Sequence, residues 1–258
     1  MKKSLKTMLV IICVLLVCVF AFSAYKVIST IAGYRQAAST YDSIAQQFLS
    51  IDTSPKPIEE FVDDIDPEIS PIGNIDFEGL RNITTDYVAW IYSPDTAINY
   101  PIVYTDNNFY YLDHIPVAQQ NANGTLFIDC KCASDFSDQN TLIYGHNMND
   151  GSMFAGLRDY RNVDFYPEHP VMYLSTPDFN YRLDLIAGFV TEPTSFAYQN
   201  NFDEPEQFMA YIEHIRELSN FKSDVEVSED DRVVTLSTCT YEINDGRYVV
   251  VGKLTRIH

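Results

Sequence analysis

Basic residues are scarce in this sequence, and their scarcity excludes one large class of function. The 258 residues contain 17 Lys and Arg against 36 Asp and Glu, which gives a net charge of -19 at pH 7. From Asp52 onward, 12 basic residues stand against 35 acidic ones. Because the phosphates of nucleic acid require a basic protein surface, we expect no nucleic-acid partner.

Cysteines are few, and several common motifs are missing. Cys13 and Cys18 lie in an apolar run, Cys130 and Cys132 form a C-x-C pair, and Cys239 stands alone. This pattern is too sparse for a disulfide framework, and a bridge within C-x-C would close a strained ring. The spacing is also wrong for a zinc ribbon, so we predict no metal and no cofactor. The sequence has no Walker A motif and no G-x-G-x-x-G, so nucleotide binding has no support. It has no G-x-S-x-G either, so a serine hydrolase has none.

One long apolar run lies near the N-terminus. Met8–Tyr25 holds 18 uncharged residues, which at about 1.5 Å per residue nearly span a hydrocarbon core of about 30 Å. Lys2, Lys3 and Lys6 precede the run, so the positive-inside rule places residues 1–7 in the cytoplasm and exports everything after Lys26. We predict a single-pass membrane anchor over residues 8–25. A cleaved signal peptide is the alternative.

The composition changes again between the anchor and residue 74. Apolar residues at helical spacing predict a juxtamembrane helix over 26–50. Prolines and acidic residues crowd the following stretch and predict a spacer with at most a short helix around 57–64. We therefore assign 26–73 to the juxtamembrane helix and acidic spacer, and 74–258 to one folded domain.

Short apolar or alternating runs dominate after residue 75. They predict a mainly β fold in which eight strands, separated by turn residues, form a closed or nearly closed barrel. The predicted strands are Tyr87–Tyr92, Ile98–Tyr104, Gly124–Ile128, Thr141–His146, Val171–Ser175, Arg182–Thr191, Arg232–Cys239 and Arg247–Leu254.

Two helices are predicted between these strands. One begins after Ser152 as its N-cap. The other covers about Glu204–Ser219 and has an amphipathic pattern. The first is expected to bury Met153, Phe154, Leu157 and Tyr160, and the second Phe208, Tyr211, Ile212, Ile215 and Leu218.

Cys239 ends a strand-like run and is followed by a strong turn signal, Asn244–Gly246. The next strand begins at Arg247, so a hairpin would place this cation beside the cysteine. A neighbouring cation favours the nucleophilic thiolate, and a guanidinium can stabilise an oxyanion. A buried structural cysteine near a surface arginine remains an alternative at this point.

His146 closes another strand-like run, beside Gly145, where its ring can project into a groove. A catalytic cysteine needs a histidine, which can be distant in sequence. A hydrogen-bonded structural histidine is the alternative. Free Cys titrates at about 8.5 and free His at about 6.5, so the neutral pair is expected to dominate at neutral pH and the rate profile to be bell-shaped.

Three segments resemble the sortase family of cysteine transpeptidases, over about residues 74–254. Residues 235–254 (TLSTCTYEINDGRYVVVGKL) resemble its signature, in which a T-L-x-T-C strand precedes the catalytic Arg. Residues 140–157 (NTLIYGHNMNDGSMFAGL) resemble the catalytic-His segment of class B. Residues 90–114 are similar to the family's early strands, which lead to an N-x-x-Y-L element. The helix at 204–219 is similar to the extra helix of class B.

The resemblance implies an eight-stranded sortase-type barrel with N-terminal helices and an inserted helix before the catalytic cysteine strand. It implies that Cys239 is the nucleophile, His146 its proton-transfer partner and Arg247 the oxyanion stabiliser. A sorting-signal groove would be lined by Asn108, Leu112, Ser237 and Thr238, with Tyr198 chosen from a wall loop that does not align residue by residue.

The implied activity is cleavage of an exported protein's C-terminal sorting signal (NPxTN-like) after Thr, and its transfer to a cell-wall peptidoglycan amine. The partners are then sorting-signal proteins and a peptidoglycan precursor, and the catalytic domain is extracellular. Three alternatives stay open: a pilin-polymerising sortase that uses a pilin lysine, a papain-like or wall-peptide cysteine hydrolase, and a non-catalytic anchored binding domain. Cysteine hydrolases usually place Cys before His, whereas His146 comes first here.

Overall fold

The computed structural model describes residues 2–50, 70–240 and 245–257. The chain forms two compact units, Met1–Thr40 and Tyr41–His258. Most of the predicted acidic spacer, residues 51–69, lies outside the described residues, as does the predicted short helix around 57–64.

The N-terminal segment is a single helix, α1 (Lys2–Phe48). The helix predicted over 26–50 is observed up to Phe48, but it is continuous with the apolar run, and Leu49–Ser50 form a short strand instead. No proline or glycine pair interrupts the segment, so nothing in the sequence stops the helix between the two predicted parts. By length and composition the helix could cross a membrane, and the large side chains of residues 8–20 are exposed.

The remaining helices and strands follow in chain order. They are β1 (Leu49–Ser50), β2 (Asn74–Ile75), α2 (Phe77–Arg81), β3 (Tyr87–Tyr92), β4 (Asn99–Val103), β5 (His114–Ile115), β6 (Gln119–Gln120), β7 (Leu126–Ile128), β8 (Asn140–Tyr144), β9 (Val171–Ser175), β10 (Asn180–Thr191), α3 (Pro205–Leu218), β11 (Arg232–Cys239) and β12 (Arg247–Ile257). Short 3₁₀ helices lie at Tyr110–Leu112, Ala155–Arg161, Tyr166–Glu168 and Phe196–Tyr198.

Eight of the strands close into a barrel in the order β10-β12-β11-β8-β7-β4-β3-β9, which confirms the predicted architecture. Three predicted strands have the observed bounds, and the other five differ by one to three residues at one or both ends. The difference that matters most is in β8, which ends at Tyr144, so that His146 lies just beyond the strand.

The pairing of β11 brings the ends of three strands together. β11 runs antiparallel to β12, with Cys239 opposite Arg247. It runs parallel to β8, with Ser237 opposite Tyr144. Parallel strands end on the same side of a sheet, so the segment after β8 and the end of β11 lie at one rim of the barrel, where β12 also begins. His146 therefore reaches the same rim as Cys239 and Arg247.

Both predicted helices bury most of the expected side chains. Met153, Phe154, Leu157 and Tyr160 are all at most 1% exposed, as are Phe208 and Ile215 on α3. Leu218, however, is 44% exposed, so its predicted burial is wrong. α3 ends there, and the next residue turns toward the sheet, where the Ser219 Oγ accepts a hydrogen bond from the Gly188 N–H.

The predicted N-cap at Ser152 is also wrong. The helix after it is a 3₁₀ helix that begins at Ala155 and is preceded by Phe154. The Ser152 hydroxyl donates to the Asp150 carboxylate instead of capping the helix. Met153 has a φ of 57°, which breaks the helical path between Ser152 and Ala155.

Candidate active site

All eight residues singled out from the sequence line one groove at the rim where β8, β11 and β12 meet. Four further residues complete its walls: Phe127, Tyr144, Gly145 and Pro193. Ser237 and Thr238 are each only 2% exposed, and the Thr238 hydroxyl is buried without a hydrogen-bond partner among the described residues. The roles of the eight residues stay predictions, but the fold brings them together.

Cys239 is the last residue of β11, and its thiol is free and half-buried. Its main-chain carbonyl accepts a hydrogen bond from the Asn147 side-chain amide at 2.8 Å. Asn147 directly follows His146, so this bond ties the histidine segment to the end of the cysteine strand. The residues around a nucleophile must be held close to their reactive geometry, and this bond contributes to that.

Arg247 begins β12, directly across the ladder from Cys239. Its Nη1 donates to the carbonyl oxygens of Asp245 (2.9 Å) and Gly246 (3.0 Å). Asp245 has a φ of 53°, which fits the predicted turn, although Asn244 lies outside the described residues. The guanidinium is therefore held at the turn through one nitrogen, which leaves its other N–H groups for an acceptor in the groove.

The hydrogen bond of His146 assigns different roles to its two ring nitrogens. Nε2 lies 2.6 Å from the Leu112 carbonyl oxygen. A carbonyl only accepts, so Nε2 carries a proton and donates it. Nδ1 is then the nitrogen that can take up or release a proton during a reaction.

Tyr198 and Ser237 form a polar pair on another wall. The Tyr198 hydroxyl and the Ser237 Oγ are 2.9 Å apart. Burial raises the pKa of Tyr198 to about 12; the Ser237 hydrogen bond and the Arg247 cation oppose this rise, and the Cys239 thiolate adds to it. The phenol therefore remains protonated at neutral pH, and its hydroxyl can share hydrogen bonds with Ser237 and a group in the groove.

A buried carboxylate supports the wall formed by Asn108. The Asp129 Oδ2 accepts from the Asn108 Nδ2 at 3.2 Å and from the Tyr144 hydroxyl at 2.8 Å. The Asn108 Oδ1 accepts from the Cys130 N–H at 2.8 Å. Burial, with the adjacent Asp129 charge, raises the pKa of Tyr144, so this hydroxyl stays a donor.

Sequence reasoning missed Tyr144, Asp129 and Asn147. Tyr144 could have been found from the predicted strand Thr141–His146, in which Tyr144 and His146 would share a face, although the observed strand ends at Tyr144. Asp129 and Asn147 carry no such signal, since their partners are distant in sequence or belong to the main chain.

The C-x-C pair takes no part in the groove. Both cysteines are free. Burial raises the pKa of Cys132 to about 12, which keeps this thiol protonated and unreactive at neutral pH. Within residues 2–50, 70–240 and 245–257, no three His, Cys, Asp or Glu side chains are grouped so as to hold a metal ion.

Comparison with known proteins identifies the family. The sortase domain model matches residues 91–255 of this chain. The chain belongs to the sortase family. Sortase B of Listeria monocytogenes is 38% identical over 177 residues, which cover 68% of this chain and 72% of that protein.

Two solved structures place this sortase in class B. Sortase B from Bacillus anthracis matches with a TM-score of 0.72 and 30% identity, over 88% of this chain and 99% of that one. The Staphylococcus aureus sortase B–substrate complex matches with a TM-score of 0.67 and 29% identity, over 70% of this chain and 85% of that one. This sortase is therefore a cysteine transpeptidase, which decides against the papain-like hydrolase and the non-catalytic binding domain.

Proposed function

We propose that Cys239 is the nucleophile of this sortase, His146 its proton-transfer group and Arg247 its oxyanion stabiliser. The observation that supports this assignment is the β11 register, which sets Cys239 opposite Arg247 and aligns the end of β11 with the strand before His146. The three side chains line one groove and combine a nucleophile, a proton carrier and a cation.

The reaction proceeds in two acyl transfers. The Cys239 thiolate attacks the carbonyl carbon of the Thr in the sorting signal, and Arg247 N–H groups stabilise the resulting oxyanion. The C–N bond breaks as protonated His146 gives its proton to the leaving amine, which leaves a thioacyl-enzyme. An acceptor amine then attacks the thioester and loses a proton to His146, and the thiolate departs.

The substrate is an exported protein with an NPxTN-like C-terminal signal, and the acceptor is a cell-wall peptidoglycan amine. A structural relative has been solved as a sortase B–substrate complex, which supports a peptide in the corresponding groove. Asn108, Leu112, Tyr198 and Ser237 all line the same groove as Cys239. A peptide bound in this groove can therefore contact polar groups near Cys239.

The N-terminal helix serves as the membrane anchor. Residues 1–7 lie in the cytoplasm, residues 8–25 cross the membrane, and residues 26–73 connect the anchor to the catalytic domain at 74–258. The apolar helix and the lysines before it support this arrangement. The substrate, once exported, would then meet the enzyme at the outer membrane surface.

The proposal is tested by incubating the full chain in detergent with fluorogenic NPxTN peptide, with and without a peptidoglycan-type amine. We expect cleavage after Thr and an amide product that contains the added amine. Cleavage at another peptide bond, or hydrolysis without incorporation of the added amine, would contradict the proposed transfer.

Tyr198→Phe is expected to raise the KM for the peptide about fivefold with little change in kcat, because one hydroxyl is lost from the wall. Tyr166→Phe is the matched control, since its hydroxyl also lies 2.9 Å from a serine, Ser223, away from the groove. Steady-state kinetics of both variants check this. Equal KM values for the two would argue against a substrate contact at Tyr198.

The pH profile of kcat/KM is expected to be bell-shaped. The thiolate fraction rises with pH and the imidazolium fraction falls, so their product is greatest between the two titrations and declines on both sides. Tyr198 and Cys132, with pKa values of about 12, contribute to neither limb. Rates measured from about pH 5 to 10 test this, and a flat profile would contradict the Cys–His assignment.

A further inference from the structure

Tyr41 lies near the C-terminal end of α1, inside the second compact unit, and its hydroxyl reaches the barrel. Its side chain is 6% exposed. The hydroxyl donates to the main-chain carbonyl of Gly124 at 2.5 Å, across 83 residues of sequence. This bond joins the C-terminal end of α1 to the turn between β6 and β7.

The Gly124 turn lies close to the Leu112 carbonyl oxygen and to the His146 ring. Gly124 has a φ of 59°, a left-handed conformation that favours glycine. A Cβ added there would lie 2.8 Å from the Leu112 carbonyl oxygen and 3.1 Å from the His146 Cδ2. The Leu112 oxygen is the acceptor of the His146 Nε2 proton. A small displacement of this turn would therefore move the imidazole and its acceptor together.

The ring of Tyr41 is connected to the histidine segment indirectly, through Tyr100. It meets the Tyr100 ring edge to face, with the centroids 5.2 Å apart. The Tyr100 hydroxyl accepts from the Met153 N–H at 3.2 Å. Beside Met153, the Phe154 N–H donates to the main-chain carbonyl of His146 at 3.0 Å. Tyr41 therefore supports the His146 segment from two directions, through its hydroxyl and through its ring.

We propose that Tyr41 is a positioning residue for His146. Its hydroxyl fixes the Gly124 turn, and the turn fixes the carbonyl that orients the imidazole and keeps Nδ1 as the proton-exchanging nitrogen. The inference rests on the proposed role of His146 and adds that the end of the N-terminal helix takes part in orienting that residue. Without the hydroxyl, the Gly124 carbonyl loses the donor that Tyr41 supplies, and the turn keeps only other bonds, such as that of the Gly124 N–H to the Asn121 carbonyl.

Tyr41→Phe in the full chain in detergent tests the inference, because the ring and its contact with Tyr100 remain. We expect kcat for a fluorogenic sorting peptide to fall about tenfold with KM unchanged, since the imidazole is misplaced but the groove walls are not. We also expect solvent exchange of the His146 Nε2 proton, followed by NMR on histidine-labelled protein, to accelerate about tenfold as its bond to Leu112 weakens.

Phe48→Leu is the matched control. Phe48 lies on the same helix, is also 6% exposed, and packs beside Gly79. We expect this variant to lower the Tm but to leave kcat and the His146 proton exchange unchanged. If Phe48→Leu reproduced the effects of Tyr41→Phe, general destabilisation would explain both and the positioning role would be overturned. Wild-type kcat and exchange in Tyr41→Phe would overturn it as well.

His146→Ala, measured in parallel, separates this inference from the proposed function. A fully active His146→Ala variant would remove the proton-transfer role, and the positioning role with it. An inactive His146→Ala variant beside an unaffected Tyr41→Phe variant would overturn only the role of Tyr41. An inactive His146→Ala variant with a slowed Tyr41→Phe variant and altered proton exchange is the expected result.

Discussion

Cys239→Ala is expected to lower the rate of sorting-peptide cleavage by at least about 10³-fold, because the reaction loses its nucleophile and alanine cannot form a thioester. The side chain is half-buried at the end of β11, so its loss should leave the barrel folded. Cleavage of a fluorogenic peptide by the full chain in detergent measures the effect, and the Tm verifies that the variant is folded.

Cys132→Ala is the control for this experiment. Cys132 is a buried free thiol outside the groove, and burial raises its pKa to about 12. We expect this variant to lose stability, through the small cavity it creates, and to retain its cleavage rate. Substantial peptide cleavage by Cys239→Ala, or loss of cleavage in a folded Cys132→Ala variant, would show that the nucleophile has been assigned to the wrong cysteine.

Arg247→Lys is expected to lower kcat about 10²-fold with a smaller effect on KM, although the charge is conserved. A guanidinium has five N–H donors in a fixed fork, so it can hold the Asp245 and Gly246 carbonyls and present several more to the oxyanion, whereas an ammonium group would have at most one donor left. Single-turnover acylation kinetics separate this defect from a change in product release.

Arg256→Lys provides the comparison on the same strand. The Arg256 guanidinium lies 3.5 Å from the centroid of the Phe179 ring, and it does not line the groove. We expect the acylation rate of this variant to equal that of the wild type. If Arg247→Lys acylated at the wild-type rate too, the donor stabilising the oxyanion would have to be another group.

Local sequence signals predicted one half of the site. The turn signal at Asp245 and Gly246, between two β-rich runs, predicted the hairpin, and the structure confirms that Arg247 lies opposite Cys239. Hairpin register depends on nearby residues, so a short stretch of sequence determines it. The strands of the barrel were predicted for the same reason, from runs whose alternation reflects one buried face.

The convergence of His146 with Cys239 could not be predicted from local signals. It depends on parallel pairing between β8 and β11, whose partners are more than 90 residues apart, as Ser237 and Tyr144 show. Long-range pairing leaves no local pattern, so the sequence supplied this step only through resemblance to a family. The wrong burial of Leu218 has a related cause, because helical spacing does not show where the neighbouring sheet ends.

The role proposed for Tyr41 had no signal in the sequence. The helical pattern from residue 26 onward predicted only that Tyr41 lies in a helix. Its hydrogen bond to Gly124 spans 83 residues, so no local pattern indicates it. Asp129 also had no signal in the sequence. Its carboxylate accepts hydrogen bonds from Asn108 and Tyr144, and the three residues belong to separate segments of the chain. Such contacts connect elements that meet only in the folded chain.

The most direct test of the account is the intact mass of the enzyme after reaction with an NPxTN peptide in the absence of an acceptor amine. We predict an added mass equal to the peptide up to its Thr, located on Cys239 by peptide mapping and released when an amine is supplied. An adduct that persisted in Cys239→Ala, or no adduct with any of several sorting peptides, would contradict thioacyl transfer through this cysteine.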